Sequence, residues 1–270
     1  MLFSYVSRDV FKTRMNITAG TPSDATLRFV IEGVSEAIDT HCHRQLLARL
    51  QTRYYTASRG NYLVVKDLVS VTSIKTDRDG DRTYEQTWEA TDYDLLPFNA
   101  ATDGEPYTEI SVTPAGVLTF PTISKGVEIV GKWGYSETTQ SAGTLGANVS
   151  DTTGTSVTMA AGHTVDSLHT LQIDSEQLYV TAVATNTLTV VRGVNGTDGA
   201  THSSGATVSE IVFPDQVREA AIIQTSRLYR RADAPFGVVG SDQYGTTMLR
   251  ARLDPDVQEM LGRFRRPAVA

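Results

Sequence analysis

Helical periodicity is confined to the two ends of this chain, and more than 150 residues with β-type patterns separate the two helical stretches. The first stretch predicts a helix from about Thr21 to Leu50, in which apolar residues recur at spacings of three and four. The second predicts a helix from Pro214 to Arg231 and a short helix from Asp254 to Arg265. Gly33, inside the first helix, indicates a close helix crossing. Because an amphipathic helix is rarely stable alone in water, we expect the three helices to pack as one core.

The sequence between the helices falls into two parts that differ in composition. Residues 53–137 alternate short β-rich runs with turn residues, which is typical of a small antiparallel sheet or barrel. Residues 138–212 contain one Arg, no Lys and six acidic residues, and are rich in Gly, Thr, Ser and Ala. This change predicts a separate antiparallel β-module inserted into the chain. The predicted strands are Tyr62–Val65, Leu68–Thr76, Tyr84–Trp88, Tyr107–Val112, Val117–Phe120 and Val127–Trp133 in the first part, and Val157–Met159, Leu171–Ile173, Gln177–Val183, Thr187–Val191 and Thr207–Ile211 in the second.

The predicted fold class is therefore α+β, with a helical core that the N- and C-terminal helices form together. We assign residues 1–52 to the first part of this core and residues 53–137 to the β-rich segment. Residues 138–212 form the inserted β-module, and residues 213–270 form the second part of the helical core.

Bulk composition excludes several classes of protein. The single cysteine, Cys42, excludes an intramolecular disulfide framework and fits synthesis in a reducing cytoplasm. The net charge of −7 argues against a protein that clamps nucleic acid along its whole length, since backbone binding requires clustered Lys and Arg. No stretch of the sequence approaches the roughly 18 consecutive apolar residues of a membrane span.

Two groups of possible metal ligands occur, and neither has the spacing of a known metal site. His41 and His43 flank Cys42 in the first helix, where adjacent residues point about 100° apart and do not converge on one ion. We interpret Cys42 as a buried thiol on the apolar stripe. A second group lies within the β-module and matches no recognised ligand motif: His163, His169 and His202, with Asp166, Asp174 and Glu176 nearby.

The acidic residues of the segment Asp77–Asp81 alternate as in a calcium-binding loop. The closing glutamate of such a loop is absent, because Trp88 stands at that position, and a solvated hairpin turn is the favoured interpretation. The sequence also lacks a nucleophile elbow, a phosphate-binding loop and a dinucleotide fingerprint. We therefore predict no catalytic, cofactor or metal site, and no enzymatic activity.

Several short strings occur in an order that resembles one known family, the head–tail connector proteins of tailed phages, also called adaptor or head-completion proteins. The strings span most of residues 22–137 and 213–266. They are Glu32–Asp39, Leu68–Ile74, Tyr93–Leu95, Gly131–Tyr135, Pro214–Ala221, Arg227–Arg231, Asp233–Gly237 and Leu253–Val257. In simpler members the Trp-Gly-Tyr strand leads almost directly to the Pro-initiated helix, so residues 138–212 are an insertion. Three parts of the insertion look like small β-modules of phage structural proteins: Ile173–Gln177, Val190–Thr197 and His202.

The resemblance implies a structural protein of the virion neck, made in the host bacterial cytoplasm. It implies a homo-oligomeric ring, usually of twelve copies, that lies beneath the portal protein and extends the DNA channel. The ring would offer a platform to a tail terminator, a stopper or another neck protein. Viral double-stranded DNA would pass through it transiently, and neither a cofactor nor a membrane is an expected partner.

Two segments are the candidate interaction sites. Arg263, Phe264, Arg265 and Arg266 combine three cations with an aromatic residue, and we predict that they dock on the portal with Phe264 as an exposed anchor. The loop between the last two helices is the candidate inter-subunit or lumen loop, through Asp233, Pro235, Phe236, Gly237 and Asp242.

An alternative from another functional class is a β-rich adhesin or baseplate protein that binds a glycan or protein on the host surface. Such proteins present aromatic platforms to their ligands. Tyr179 is the only aromatic residue of the insertion.

Overall fold

A computed structural model of the chain describes residues 2–17, 24–231, 238–239, 247–248 and 253–266. The chain divides into two compact units. We call Met1–His43 together with Thr138–Ala270 the discontinuous unit, and Arg44–Glu137 the central unit. Helices and antiparallel sheets are both present, which confirms the α+β class.

Helices and strands follow one another in an order close to the expected one. The α-helices of the described residues are α1 (Arg8–Arg14), α2 (Asp24–Cys42), α3 (Ala100–Asp103), α4 (Asp215–Arg231) and α5 (Pro255–Met260), with a 3-10 turn at Gly262–Phe264. The strands are β1 (Arg49–Tyr55), β2 (Tyr62–Thr76), β3 (Gln86–Trp88), β4 (Tyr93–Leu96), β5 (Tyr107–Val112), β6 (Val127–Trp133), β7 (Thr138–Thr144), β8 (Ser156–Thr158), β9 (Thr170–Ile173), β10 (Glu176–Ala184), β11 (Thr187–Val191), β12 (Thr207–Val212), β13 (Val238–Val239) and β14 (Thr247–Met248). Among these helices, none combines the length and the apolar character needed to cross a bilayer.

The helices of the discontinuous unit form one core, as expected. Helix α2 packs against α4, and α4 packs against α5. The core side chains come from both ends of the sequence and are Leu27, Ile31, Val34, Ile38, Val217, Ala220, Ala221, Val257 and Leu261. Helix α1, which the sequence analysis did not predict, adds the fully buried Phe11, and the Ser7 side chain caps its N-terminus.

Helix α2 is shorter than predicted. It ends at Cys42 rather than near Leu50, because His43 adopts a positive φ of 52° and the chain then continues into β1. The expected close crossing at Gly33 is also wrong within this chain, since a Cβ added there meets nothing within 4 Å. The residues proposed to start this helix, Thr21 and Pro22, lie outside the described residues.

The central unit is an antiparallel sheet with the strand order β1-β6-β2-β5-β4, and β3 also pairs with β2. Two predicted strands are one long strand, β2, whose register shifts between Val64 and Leu68 around Asp67. Val117–Phe120 was predicted as a strand and is not one. Phe120 is nevertheless buried, because its ring stacks on Trp88 with centroids 4.4 Å apart.

Residues 138–212, the β-module, fold into one antiparallel sheet within the discontinuous unit. The strand order is β7-β12-β9-β10-β11-β8. The strands that begin and end the module in the sequence, β7 and β12, are therefore neighbours, and Thr138 pairs with Val212. A tight turn at Thr185-Asn186 joins β10 to β11, and Thr185 has a φ of 53°. The module has its own apolar core, which consists of Ala142, Leu145, Val149, Val157, Met159, Val165, Leu171, Ile173, Leu178, Val180, Leu188, Val190 and Val208.

Candidate functional site

A buried ion pair stands at the centre of the β-module. Glu176 opens β10 and its side chain is completely buried, while Arg192 follows β11 and is 5% exposed. The Arg192 Nε and Nη2 atoms donate to the two carboxylate oxygens at 2.5 and 2.6 Å. The backbone N–H groups of Gly193 and Ala200 donate to the same carboxylate at 3.1 and 2.9 Å. One carboxylate therefore fixes both ends of the loop 193–200.

His202 extends this arrangement to a second carboxylate. Its Nε2 atom lies 2.9 Å from Oε2 of Glu176, and its Nδ1 atom lies 2.8 Å from Oδ2 of Asp174. The His202 side chain is 1% exposed, whereas that of Asp174 is 68% exposed. We call Asp174, Glu176, Arg192 and His202 the Glu176 cluster.

The segments Ile173–Gln177 and Val190–Thr197 and the residue His202 each supply at least one member of the Glu176 cluster. Burial raises the pKa of Glu176, but the hydrogen bonds from Arg192, Ala200 and His202 outweigh it and leave this pKa lowered. A carboxylate with this many donors is satisfied by the protein itself. The arrangement is suited to holding a loop in place rather than to binding an ion.

The sequence analysis also noted His163, His169 and Asp166 in this module, without predicting a metal site, and these residues do not join the Glu176 cluster. His163 places its Nε2 atom 2.9 Å from the carbonyl oxygen of Thr185. His169 and Asp166 lie instead in the turn before β9, where the backbone N–H of Asp166 donates to Nδ1 of His169 at 3.2 Å. The sequence analysis missed Arg192, although it is the only Arg of residues 138–212.

A second buried group joins the β-module to α2. Tyr179 on β10 is fully buried, and its hydroxyl donates to Oε1 of Glu32 at 2.8 Å. Glu32 also accepts from Nε of Arg28 at 2.7 Å, and the Arg28 guanidinium lies 5.7 Å from the centre of the Tyr179 ring. Burial, followed by the Glu32 charge, raises the pKa of Tyr179. The only aromatic residue of the insertion is therefore part of an internal contact.

We expect Tyr179→Phe to lower the free energy of unfolding by about 1.5 kcal/mol, because it removes a buried hydrogen bond to a carboxylate. Urea denaturation measures this loss. Tyr84→Phe is the matched control, since it removes a hydroxyl that donates to the Lys125 carbonyl at an exposed position, and we expect it to change stability by less than about 0.5 kcal/mol. Equal losses in the two variants would contradict the internal role of Tyr179.

The acidic segment 77–81 lies in the loop that joins β2 to β3. The three acidic side chains offer oxygens within 4.8 Å of one another, and among the described residues they are the only such group of possible metal ligands. Asp77 is buried and accepts the backbone N–H groups of Gly80 and Arg82 at 2.7 and 3.0 Å. Because β2 and β3 pair directly, the segment forms the predicted hairpin turn.

Residues Arg263–Arg266, which we call the C-terminal segment, lie against the end of α2. The backbone N–H of Arg266 donates to the carbonyl oxygen of Cys42, the last residue of that helix, at 2.9 Å. Burial, and then the charges of Arg265 and His43, lower the pKa of His41. The charge of Arg265 therefore lies close enough to His41 to disfavour the protonated form of that imidazole.

Phe264 was expected to be an exposed anchor, and that expectation is wrong. Its side chain is only 3% exposed, and Val257 and Leu261, which precede it in the sequence, are fully buried. Arg263 and Arg265 are exposed and Arg266 is half-buried. The loop residues Asp233, Pro235, Phe236, Gly237 and Asp242 lie outside the described residues.

Comparisons with solved structures give a likeness in fold, whereas comparisons with family models and curated proteins give none. No family model matches the sequence, and no curated protein matches it. This chain is similar in fold to a chain from a solved structure of the neck of an empty GTA particle, a structure that was computed with C6 symmetry. The two chains have 14% sequence identity, and the TM-score is 0.44. The superposition covers 98% of this chain and 92% of the other. These values are too low to assign this chain to a family.

Proposed function

We propose that this protein is a non-enzymatic structural subunit of a virion neck, which forms a homo-oligomeric ring beneath the portal. The observation that carries the proposal is the order of the elements. Apart from Asp233–Gly237, which lies outside the described residues, the strings that resemble the head–tail connector family lie in α2, then in the central unit, and then at α4 and α5. The β-module interrupts this order as a separate, self-paired sheet.

The chemistry of the described polar clusters supports a structural role. The Glu176 cluster, the Tyr179–Glu32 contact and the Asp77 turn each satisfy their polar groups with donors and acceptors of the chain itself. Residues 57–137 and 138–212 carry net charges of −6 and −5. An acidic surface would let duplex DNA slide past without binding to it.

The alternative function, a glycan-binding adhesin or baseplate protein, finds no comparable support in the β-module. Carbohydrate platforms need an exposed aromatic face. Tyr179 is the only aromatic residue of residues 138–212, and it is fully buried.

We further propose that the arginines of the C-terminal segment dock on an acidic surface of the portal. The exposed Arg263 and Arg265 would pair with carboxylates, and the binding would weaken as salt concentration rises. In this proposal Phe264 is a buried residue that stabilises the C-terminal segment and does not itself contact the portal. The loop that follows α4, from Asp233 to Thr247, is the proposed contact between neighbouring copies or with the lumen.

Native mass spectrometry of the full chain, alone and mixed with portal rings from the same genome, tests the proposed function. We expect a complex whose mass equals that of the portal ring plus a ring of this chain. The resemblance to head–tail connector proteins implies that this second ring has twelve copies. A chain that stays monomeric with portal rings at micromolar concentration would contradict the proposal. Binding of one copy without ring formation would support recognition of the portal and would contradict the formation of a ring.

A further inference from the structure

Residues 3–7, which we call the N-terminal segment, are buried in the discontinuous unit although they form neither a helix nor a strand. Each of the five residues is at most 4% exposed. The Tyr5 ring makes an edge contact with Phe213, with centroids 4.7 Å apart, and the Tyr5 backbone N–H donates to Oγ of Ser35 on α2 at 3.1 Å. The N-terminal segment is therefore held against α2 and against the link between β12 and α4.

A small cavity with a volume of about 20 Å³ lies beside the N-terminal segment. It is lined by residues 4–7, by residues 168–170 at the start of β9, by residues 210–213 at the end of β12, and by Arg218 of α4. We call it the Thr170 cavity. A buried water needs a cavity of at least roughly 10–15 Å³, so this one has room for a single water and is too small for an organic ligand.

Thr170, the first residue of β9, brings a buried hydroxyl to this cavity. The residue is 2% exposed, and no group of the described residues hydrogen-bonds to its Oγ1 atom. A buried hydroxyl of this kind is unfavourable, because it loses its hydrogen bonds to solvent on folding and gains none within the protein. A hydroxyl can donate one hydrogen bond and accept two, so Thr170 can bind a water either as a donor or as an acceptor.

Two further side chains of the lining can complete the hydrogen bonds of a water. Oε1 of Glu210 lies 3.2 Å from Nε2 of His169, and Oε2 accepts from Nε2 of Gln140 at 3.2 Å. Each carboxylate oxygen has two lone pairs, so both can accept again. Arg218 carries five N–H donors, of which one on Nη1 contacts Oδ1 of Asp215 at 3.5 Å. With the threonine hydroxyl, these groups supply the two to four partners that a buried water requires.

The same lining disfavours an ion. A cation in the cavity would meet the guanidinium of Arg218, and an anion would meet the carboxylate of Glu210. His169 adds no charge at neutral pH, because burial, and then the charge of Arg218, lower its pKa to about 4. A neutral molecule that both donates and accepts hydrogen bonds is therefore the ligand that fits the lining groups of both signs.

We propose that the Thr170 cavity is a binding site for one structural water, which hydrogen-bonds to Oγ1 of Thr170 and links β9 to β12 beside the N-terminal segment. The water satisfies a hydroxyl that the chain itself leaves without a partner in the described residues. Because the residues on most sides of the cavity are buried, we expect this water to stay bound for longer than the protein takes to tumble. The inference is independent of the proposed neck function, since it concerns contacts within one chain.

Crystal structures of the full chain and of its variants, at a resolution that shows ordered water, test the site. In the natural protein we expect one water about 2.5–3.0 Å from Oγ1 of Thr170, with a second polar partner in the lining. Thr170→Val replaces the hydroxyl with a methyl group of similar size, and we expect the water to be lost. Thr170→Ser retains a hydroxyl and should retain the water. Relaxation dispersion of ¹⁷O in solution counts long-lived waters, and it should find one fewer in Thr170→Val than in the natural protein or in Thr170→Ser.

Thr225→Val is the matched control. Thr225 of α4 is also fully buried, and its hydroxyl likewise has no partner in the part of the chain that the structure describes, but it does not line the cavity. This variant should keep the water at Thr170. If Thr170→Val folds poorly, the natural protein and Thr170→Ser decide the question.

Three results would overturn the proposal. The first is a natural protein with no water at Oγ1 of Thr170, whether the hydroxyl is bonded to a protein group or to nothing. The second is a water that remains at the same place in Thr170→Val. The third is an ion in the cavity, which bromide soaked into the crystals and located by anomalous scattering would reveal for an anion, and which short contacts to oxygen atoms would reveal for a metal cation.

Discussion

Replacing Glu176 with glutamine should lower the free energy of unfolding of the discontinuous unit by about 3 kcal/mol or more. The substitution leaves the guanidinium of Arg192, which is 5% exposed, without its counter-ion. Removing one member of a buried ion pair is strongly destabilising, since the remaining charge stays out of water. Urea denaturation monitored by circular dichroism measures the loss.

Asp174→Asn is the control for this experiment. It alters the other carboxylate that contacts His202, but at a side chain that is 68% exposed, and we expect a loss below about 1 kcal/mol. The pH dependence adds a second readout. The pKa of Glu176 is lowered in the folded state, so its contribution is present above its ordinary pKa and is lost as the pH falls below that value. Stability of the Glu176→Gln variant should therefore fall less steeply in acid than that of the natural protein.

Phe264→Ala should destabilise the protein by about 3–5 kcal/mol, the usual range when a buried phenylalanine is truncated. The ring is 3% exposed, so its truncation removes buried apolar surface and leaves a cavity where the ring lay. Thermal and urea unfolding measure the effect. A stability within about 0.5 kcal/mol of the natural protein would show that the ring is not part of the core.

Substitution of the arginines in the same segment distinguishes a role in packing from a role in docking on the portal. Arg263→Ala with Arg265→Ala changes only exposed side chains, and we expect it to leave stability within about 0.5 kcal/mol while it abolishes co-sedimentation with portal rings. Arg230→Ala with Arg231→Ala removes two arginines from the end of α4 and should preserve co-sedimentation. Equal binding by both double variants would show that the C-terminal arginines are not part of the interface with the portal.

The helical core could be predicted from the sequence because local periodicity determines it. Leu27, Ile31, Val34 and Ile38 recur at helical spacing and are all fully buried. The end of the helix could not be predicted in the same way. Leu46 continues the spacing by chance, whereas β1 exists because Arg49–Tyr55 pairs with a strand that begins at Val127, far along the chain.

Pairing partners also explain the strand that the sequence did not indicate. Thr138–Thr144 contains Thr, Gln, Ser, Ala and Gly with no apolar alternation, yet it forms β7 because β12 offers it a hydrogen-bonding edge. The Glu176 cluster was only partly indicated by the sequence, for a related reason. Arg192 and His202 lie 16 and 26 residues after Glu176, and only the sheet topology brings them to its carboxylate.

The pairing of Thr138 with Val212 brings the two ends of the β-module together. Cross-strand partners in an antiparallel pair have Cα atoms about 4.5–5.5 Å apart, which is close to the 3.8 Å between consecutive residues. The 75 residues from Thr138 to Val212 therefore begin and end at points that one or two peptide units would bridge. A segment with such closely spaced ends can be replaced by a short link that spans the same distance.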